Sequence, residues 1–141
     1  MPGPTENGVF RMVLIRAAET GFRRDGRMEG DVDVPLTDRG RTAARRLAGE
    51  IGAPVAVYSA GNQSSRETAE IVANGADVPV RVLSGLRGLS YGLWEGQILV
   101  DVRQRFSRIY EAWVRDPFCI APPGGEETED AVRRTRAATN S

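Results

Sequence analysis

Hydrophobic positions along the chain alternate between two periods. Short consecutive apolar runs at Val9 to Ile15, Pro54 to Ala60 and Val78 to Leu83 read as buried strands. A strand covered on both faces needs apolar side chains in both directions. Elsewhere the spacing lengthens to that of a helix. Ala43, Leu47 and Ile51 predict a helix opened by Pro35-Leu36-Thr37-Asp38-Arg39-Gly40, with Thr37 as its cap and Gly52 as its stop. Ala69, Val72 and Ala73 predict a second helix, ended by Asn74-Gly75. The strongest periodic signal is Leu99, Val102, Phe106, Ile109 and Trp113. It predicts one helix from Ile98 to Arg115, closed by Pro117. A weaker stretch, Glu127 to Ala138, predicts a last helix after the turn at Pro122-Pro123-Gly124-Gly125-Glu126.

The polar stretches fill in the organisation. Residues 1–8 are rich in proline and glycine and read as a flexible tail, leaving 9–141 as one domain. Gly21 to Val34 mixes arginines and acids with glycines and reads as an ordered surface loop. Leu86 to Gly96 is a glycine-bearing loop carrying Tyr91 and Trp94. Strands alternating with helices predict an α/β fold, a three-layer α/β/α arrangement around a mainly parallel sheet.

Composition narrows the chemistry more than the fold. The chain has 141 residues, 40% of them hydrophobic, and no net charge, which gives no footprint for nucleic acid or an anionic membrane. All 19 basic residues are arginine. The arginine-rich stretches, Arg23-Arg24-Asp25 and Arg133 to Arg136, read as solvated faces. No apolar run reaches the roughly 18 residues of a membrane span, and no leader pattern is seen. One cysteine, Cys119, excludes an intrachain disulfide, so a cytoplasmic location is expected, with Cys119 as a small buried hydrophobe. Histidine is absent. That removes histidine acid–base chemistry, a phosphohistidine and any histidine-ligated metal from these residues. Neither a metal cluster nor a nucleotide-binding glycine pattern occurs, so no metal or cofactor is expected.

Five segments stand in a recognisable order: Arg16-Ala17-Ala18-Glu19-Thr20; Gly26-Arg27-Met28-Glu29-Gly30 with Asp33-Val34-Pro35-Leu36-Thr37 and Gly40; Tyr58-Ser59 with Arg66-Glu67-Thr68-Ala69; Leu86 to Gly96; and Pro123-Gly124-Gly125-Glu126. Together they resemble the histidine phosphatase, or phosphoglycerate-mutase-like, superfamily. The resemblance implies that family's α/β fold, here shortened at the carboxyl end, and it locates the site. The family's nucleophilic histidine falls on Ala17, its second phosphate-gripping arginine on Ser64, an asparagine ligand on Arg23 and its acidic residue on Gly88. Of the core set only Arg16 is kept.

These departures lead to an expectation of a repurposed pocket for a small metabolite. Its chemistry would be of isomerase, cyclase or hydrolase type in a secondary-metabolite pathway. Glu19, Tyr91 and Glu95 are the candidates for proton transfer. Arg16, Ala17, Arg23, Ser64, Gly88, Trp94 and Glu126 are the candidates for substrate binding. A non-catalytic pseudophosphatase that binds a ligand or a protein is the alternative, and a residual phosphatase or mutase the third reading. In the family a later strand lies between the first and second. Without it, a homodimer with an exchanged element, a partner chain or a rearranged sheet is expected, since unpaired strand edges are costly.

Overall fold

The computed structural model describes residues 11–140. The expected tail at residues 1–8 and the start of the expected first strand at Val9 lie outside them. In chain order the helices are α1 Gly21–Arg24, α2 Asp38–Ile51, α3 Gln63–Ala73, α4 Leu99–Arg105, α5 Ser107–Arg115 and α6 Thr128–Thr139. The strands are β1 Val57–Ser59 and β2 Val80–Val82, with 3-10 turns at Ser84–Leu86 and Gly92–Trp94.

The α/β class and the parallel pairing are as the sequence predicts. β1 and β2 pair in parallel with Val57 opposite Val80 and Ser59 opposite Val82. α3 crosses between them, as a parallel connection requires. Val57 packs with Ala69 and Ala73 of α3, and Val78 and Val80 lean on this cluster. Alternation along β1 leaves Tyr58 on the opposite face, 48% exposed. α2 packs on α3. Its N-cap is Thr37, whose hydroxyl accepts from Gly40 N at 3.0 Å, and it stops at Gly52 with φ 79°. The buried stripe is shifted by one residue from the expected one: Ala44 is buried and Ala43 faces solvent.

The first strand is the main departure. Residues 11–19 have no regular secondary structure, and Met12 and Leu14 are 78% and 89% exposed. No main-chain hydrogen bond joins residues 11–17 to another backbone group among the described residues. An apolar run becomes a strand only where another strand pairs with it, and none does among the described residues.

The helix predicted over 98–115 is broken at Phe106, whose φ of −119° and ψ of 31° separate α4 from α5. Around the break Phe106, Tyr110 and Trp113 surround Trp94, with ring centroids 6.1, 5.8 and 5.7 Å away. Trp94 and Val102 are both 0% exposed, which makes this aromatic cluster the second core of the molecule. Cys119 is exposed, and its thiol donates to Asp116 Oδ2 at 2.9 Å. The expected buried hydrophobe is therefore a surface turn residue. The expected surface loop at 21–34 contains α1.

Candidate functional site

Construction of the site begins at Thr20, fully buried at the start of α1. Its hydroxyl caps α1 by accepting from Arg23 N at 3.2 Å and donates to Glu29 Oε2 at 2.9 Å. Arg23 completes the triangle, with Nε donating to the same Glu29 oxygen at 2.7 Å and Nη1 to the carbonyl of Ala17. On the other side Ala18 N donates to Thr68 Oγ1 at 3.0 Å, and that hydroxyl donates to the carbonyl of Ser64 at 2.7 Å. The main chain at Ala17-Ala18 is thus held by α1 and α3 together. Arg23 is spent on that hold and on Glu29, so it is a support for residue 17 rather than the substrate cation the sequence suggested.

Glu19 is also engaged. Its Oε1 accepts from Thr37 Oγ1 at 2.8 Å and its main-chain carbonyl from Thr37 N at 2.9 Å. A Cβ on Gly40 would lie 2.3 Å from that carbonyl, so the start of α2 needs glycine there to approach so closely. Glu19 ties the segment to α2.

Glu95 is engaged in the same manner: Oε1 accepts from Tyr91 N at 2.9 Å, Ser90 Oγ at 3.1 Å and Asp31 N at 3.3 Å. The carboxylate organises the loop instead of facing outward. Trp94, expected on a pocket wall, is core. Gly88 lies against Gly30, whose carbonyl would be 2.9 Å from an added Cβ. A larger residue does not fit there without movement.

Glu126 lies in an arginine network. Arg134 donates to both its oxygens, at 2.6 and 2.8 Å, and Arg87 Nη2 donates to Oε1 at 3.3 Å. The bond from Arg134, above all, holds the Glu126 carboxyl below its ordinary pKa. Arg87 also pairs with Asp31 at 3.3 Å, whereas burial pushes the Asp31 carboxyl upward against the pull of the two arginines. Arg134 reaches the carbonyls of Gly85, Arg87 and Gly88 as well, at 2.7, 2.8 and 3.0 Å. The solvated face expected at Arg133 to Arg136 therefore holds for Arg133, 75% exposed, and fails for Arg134, 15% exposed.

Three expected residues keep unused capacity. Arg16 is exposed and has no hydrogen bond or ion pair among the described residues. Its charge acts on the Tyr91 phenol, whose pKa burial raises and Arg16 partly lowers back. Tyr91 is thereby kept as a neutral hydroxyl, with its ring edge-on to Trp113 at 5.7 Å. Ser64, 1% exposed, has an unpartnered Oγ in the first turn of α3, and the Oδ1 of the preceding Asn62 is likewise unpartnered. The amides of Ser64 and Ser65 find no acceptor among the described residues. A helix N-terminus with free amides favours an anion.

Arg16 thus stands beside the Ala17-Ala18 peptide, which Thr68 ties to the carbonyl of Ser64 in the first turn of α3, and Tyr91 lies within electrostatic range of Arg16. Sequence reasoning missed the supports Thr20, Glu29, Thr68 and Arg134. The first three stand inside motifs that were legible, but their partners lie 9 to 50 residues away. Among the described residues no three acidic, cysteine or histidine side chains converge to hold a metal. No helix there is long and apolar enough to cross a membrane. A shallow cavity of about 360 Å³ on α4 and α5, lined by Arg103, Tyr110 and Glu111, contains none of the expected site residues.

The family model of the histidine phosphatase superfamily, branch 1, matches residues 12–141. The chain belongs to that superfamily. It is 30% identical over 129 residues to glucosyl-3-phosphoglycerate phosphatase of Mycolicibacterium vanbaalenii, covering 90% of this chain and 57% of that protein. It is 31% identical over 127 residues to the adenosylcobalamin/alpha-ribazole phosphatase of Salmonella typhimurium, covering 89% and 63%. The solved structure of Bacillus stearothermophilus YhfR superposes with a TM-score of 0.82 at 33% identity, over 89% of this chain and 63% of that one. The chain spans about 60% of the length of these relatives and 35% of that of a bifunctional protein of Mycobacterium tuberculosis.

These findings correct the functional expectation. Both of these relatives are named phosphatases, which turns the reading away from isomerase or cyclase chemistry and from a pseudophosphatase module. A role in secondary metabolism finds no support among them.

Proposed function

We propose that the chain acts on phosphate monoesters of small polar metabolites, as a phosphatase that transfers the phosphoryl group directly to water. The observation that carries this reading is Arg16, an exposed guanidinium with no bond among the described residues, in a segment that Ala18 N ties through Thr68 to the open start of α3. A phosphoryl group needs several positive donors directed at its oxygens, and it is the group the named relatives act on.

Within these 141 residues there is no histidine to take up the phosphoryl group. Phosphoryl transfer passes through a loose transition state in which positioning and electrostatics carry most of the catalysis, so a covalent intermediate is dispensable. Water forms the new P–O bond as the ester P–O bond breaks. The departing alkoxide takes its proton from Tyr91, which water re-protonates, and the products are the alcohol and inorganic phosphate. A serine protease without its triad retains about 10³- to 10⁴-fold acceleration over water; uncatalysed monoester hydrolysis is so slow that a gain of that order is readable only on an activated aryl ester.

The test is phosphate release from p-nitrophenyl phosphate by the purified chain at high protein concentration, with acid quenching to trap any phosphoprotein. Slow release without a trapped phosphoprotein, abolished by Arg16→Ala, is the expected result. No release above buffer from folded protein would refute the proposal, as would unchanged release by Arg16→Ala.

A further inference from the structure

Asn74-Gly75 ends α3 in the turn that leads to β2, and both residues are exposed. The side chain of Asn74 makes no hydrogen bond among the described residues. The next main-chain amide, Gly75 N, also finds no acceptor there, although its neighbours do. Asn74 N donates to the carbonyl of Glu70 at 3.0 Å, and Ala76 N to that of Ala73 at 2.9 Å. Gly75 stands in open space, with nothing within 4 Å of where a Cβ would lie. A free side-chain amide thus adjoins an unengaged main-chain nitrogen, with no side chain on the glycine to hinder their meeting. Asn62 is placed differently. Its Oδ1 is buried, and the amide after it, Gln63 N, donates to Asp33 Oδ1 at 2.8 Å.

We propose that Asn74 is a site of spontaneous covalent modification, converting through a cyclic imide to aspartate and isoaspartate. Gly75 N, as it loses its proton to hydroxide, bonds to Asn74 Cγ. The Cγ–Nδ2 bond breaks, and the nitrogen takes a proton from water and leaves as ammonia. Water then opens the imide at either of its two carbonyls. Opening at Cγ restores the ordinary main chain with aspartate at 74. Opening at the main-chain carbonyl leaves the chain running through Cβ and Cγ, which is isoaspartate. The sum is asparagine and water giving the acid and ammonia, with no oxidant or reductant.

Asn74 has φ −58° and ψ −25° in the folded chain, helical values at which Gly75 N is not aligned on Cγ. Reaction therefore runs through opening of the last turn, and helix ends fray readily. The folded chain reacts, but more slowly than the unfolded one. The product carries a new carboxylate at the carboxyl end of α3, where free carbonyls already hold partial negative charge. Isoaspartate also adds a methylene to the main chain. The added length falls between Ala73, packed in the core with Val57 and Ala69, and Val78, which leans on that core. Modification thus loosens the connection from α3 to β2.

The test is ageing of the full chain in warm, mildly alkaline buffer, followed by tryptic mapping. The peptide from Glu67 to Arg81 contains Asn74 and is separate from the other Asn-Gly pair, Asn7-Gly8, which lies outside the described residues. Isoaspartate is counted by the methyl groups it accepts from an isoaspartyl methyltransferase. The acid should accumulate in that peptide, with isoaspartate exceeding aspartate, and faster as pH rises because Gly75 N must lose its proton. Gly75→Ala should slow it at least about tenfold, because a Cβ hinders ring closure. The open space around Gly75, and a φ outside the left-handed region, let that variant fold, which circular dichroism verifies. Asn74→Asp carries the new charge from the start and should lower Tm by about 1–3 °C.

An Asn74 that stays intact in the folded chain, while the urea-unfolded chain converts, overturns the proposal. So does conversion to aspartate alone, or a rate indifferent to Gly75→Ala, since either means direct hydrolysis of the side chain. Aged protein and Asn74→Asp that both melt with the wild type overturn the loosening. None of these readouts uses phosphatase activity, so this proposal and the functional one fail separately.

Discussion

Replacing Arg134 by alanine should be among the most damaging changes of a charged residue in this chain. The side chain is 15% exposed and its partner Glu126 is 12% exposed, so water replaces their contacts poorly. Both Glu126 oxygens accept from Arg134, and the same guanidinium also serves the carbonyls of Gly85, Arg87 and Gly88. Removing one partner of a buried pair costs about 3–5 kcal/mol, chiefly through the charge left behind. Glu126 retains Arg87, and the carbonyls of Arg87 and Gly88 lie near solvent, which places the loss at about 3 kcal/mol. Arg87→Ala removes ion pairs to the same carboxylate and to Asp31, but Arg87 is 41% exposed, so about 1 kcal/mol or less is expected. Urea unfolding followed by the fluorescence of Trp94 and Trp113 measures both. For a chain of this size the first change corresponds to a fall of roughly 10 °C in Tm, and the second to a few degrees. Equal losses for the two variants would refute the argument from burial. An unchanged Arg134→Ala would refute the claim that this guanidinium joins α6 to the loop at 85–88.

The same carboxylate sets an acid limit. A folded pKa held below the ordinary one contributes stability above the unfolded pKa, near 4, and loses it as pH falls through the folded value. Wild type should therefore lose stability below about pH 4 more steeply than Glu126→Gln, measured by urea midpoints across that range. Asp31 has the opposite sign, because its raised pKa favours folding only while the carboxyl is protonated, so Asp31→Asn should not reproduce the Glu126→Gln profile. Two glycines in the loops separate backbone strain from crowding. Gly92 has φ 54° and an added Cβ would lie 2.4 Å from the main chain of Pro123, Gly124 and Gly125. Gly124 has φ 70°, and an added Cβ would have its nearest neighbour 4.0 Å away on Leu93. Gly124→Ala should cost about 1 kcal/mol, and Gly92→Ala at least about 1 kcal/mol more, in the same unfolding experiment.

What could be read from the sequence depended on the range of the interactions behind each feature. Caps, stops and helix faces are local. Thr37, Gly52 and the stripe of Ala69, Val72 and Ala73 accordingly appear where the pattern placed them. The one-residue shift from Ala43 to Ala44 arises because α2 packs on α3, a direction that α2's own periodicity leaves open between neighbouring alanines. Failures began where a feature needed a partner distant in sequence. Val13 and Ile15 have the composition of a buried strand, yet hydrophobicity cannot show whether another strand pairs with them, and none does among the described residues. The break at Phe106 follows the same logic, because the 3-4-3-4 spacing records which residues face inward, while the place of Trp94 is set from another loop.

At the site the limit was chemical. A carboxylate free to move a proton and one held by three donors have the same letter in the sequence. Glu19 and Glu95 look like candidates until Thr37, Ser90, Tyr91 and Asp31 are seen satisfying them. Arg23 and Arg134 show the same for cations, since each is consumed by a carboxylate and by main-chain carbonyls. Arg16, unlike these two, holds no partner among the described residues. An arginine without a structural partner, beside a fixed peptide and a helix start with free amides, retains its donors for a ligand. For that reason Arg16→Ala should remove function while leaving stability nearly untouched, and Arg134→Ala should do the reverse.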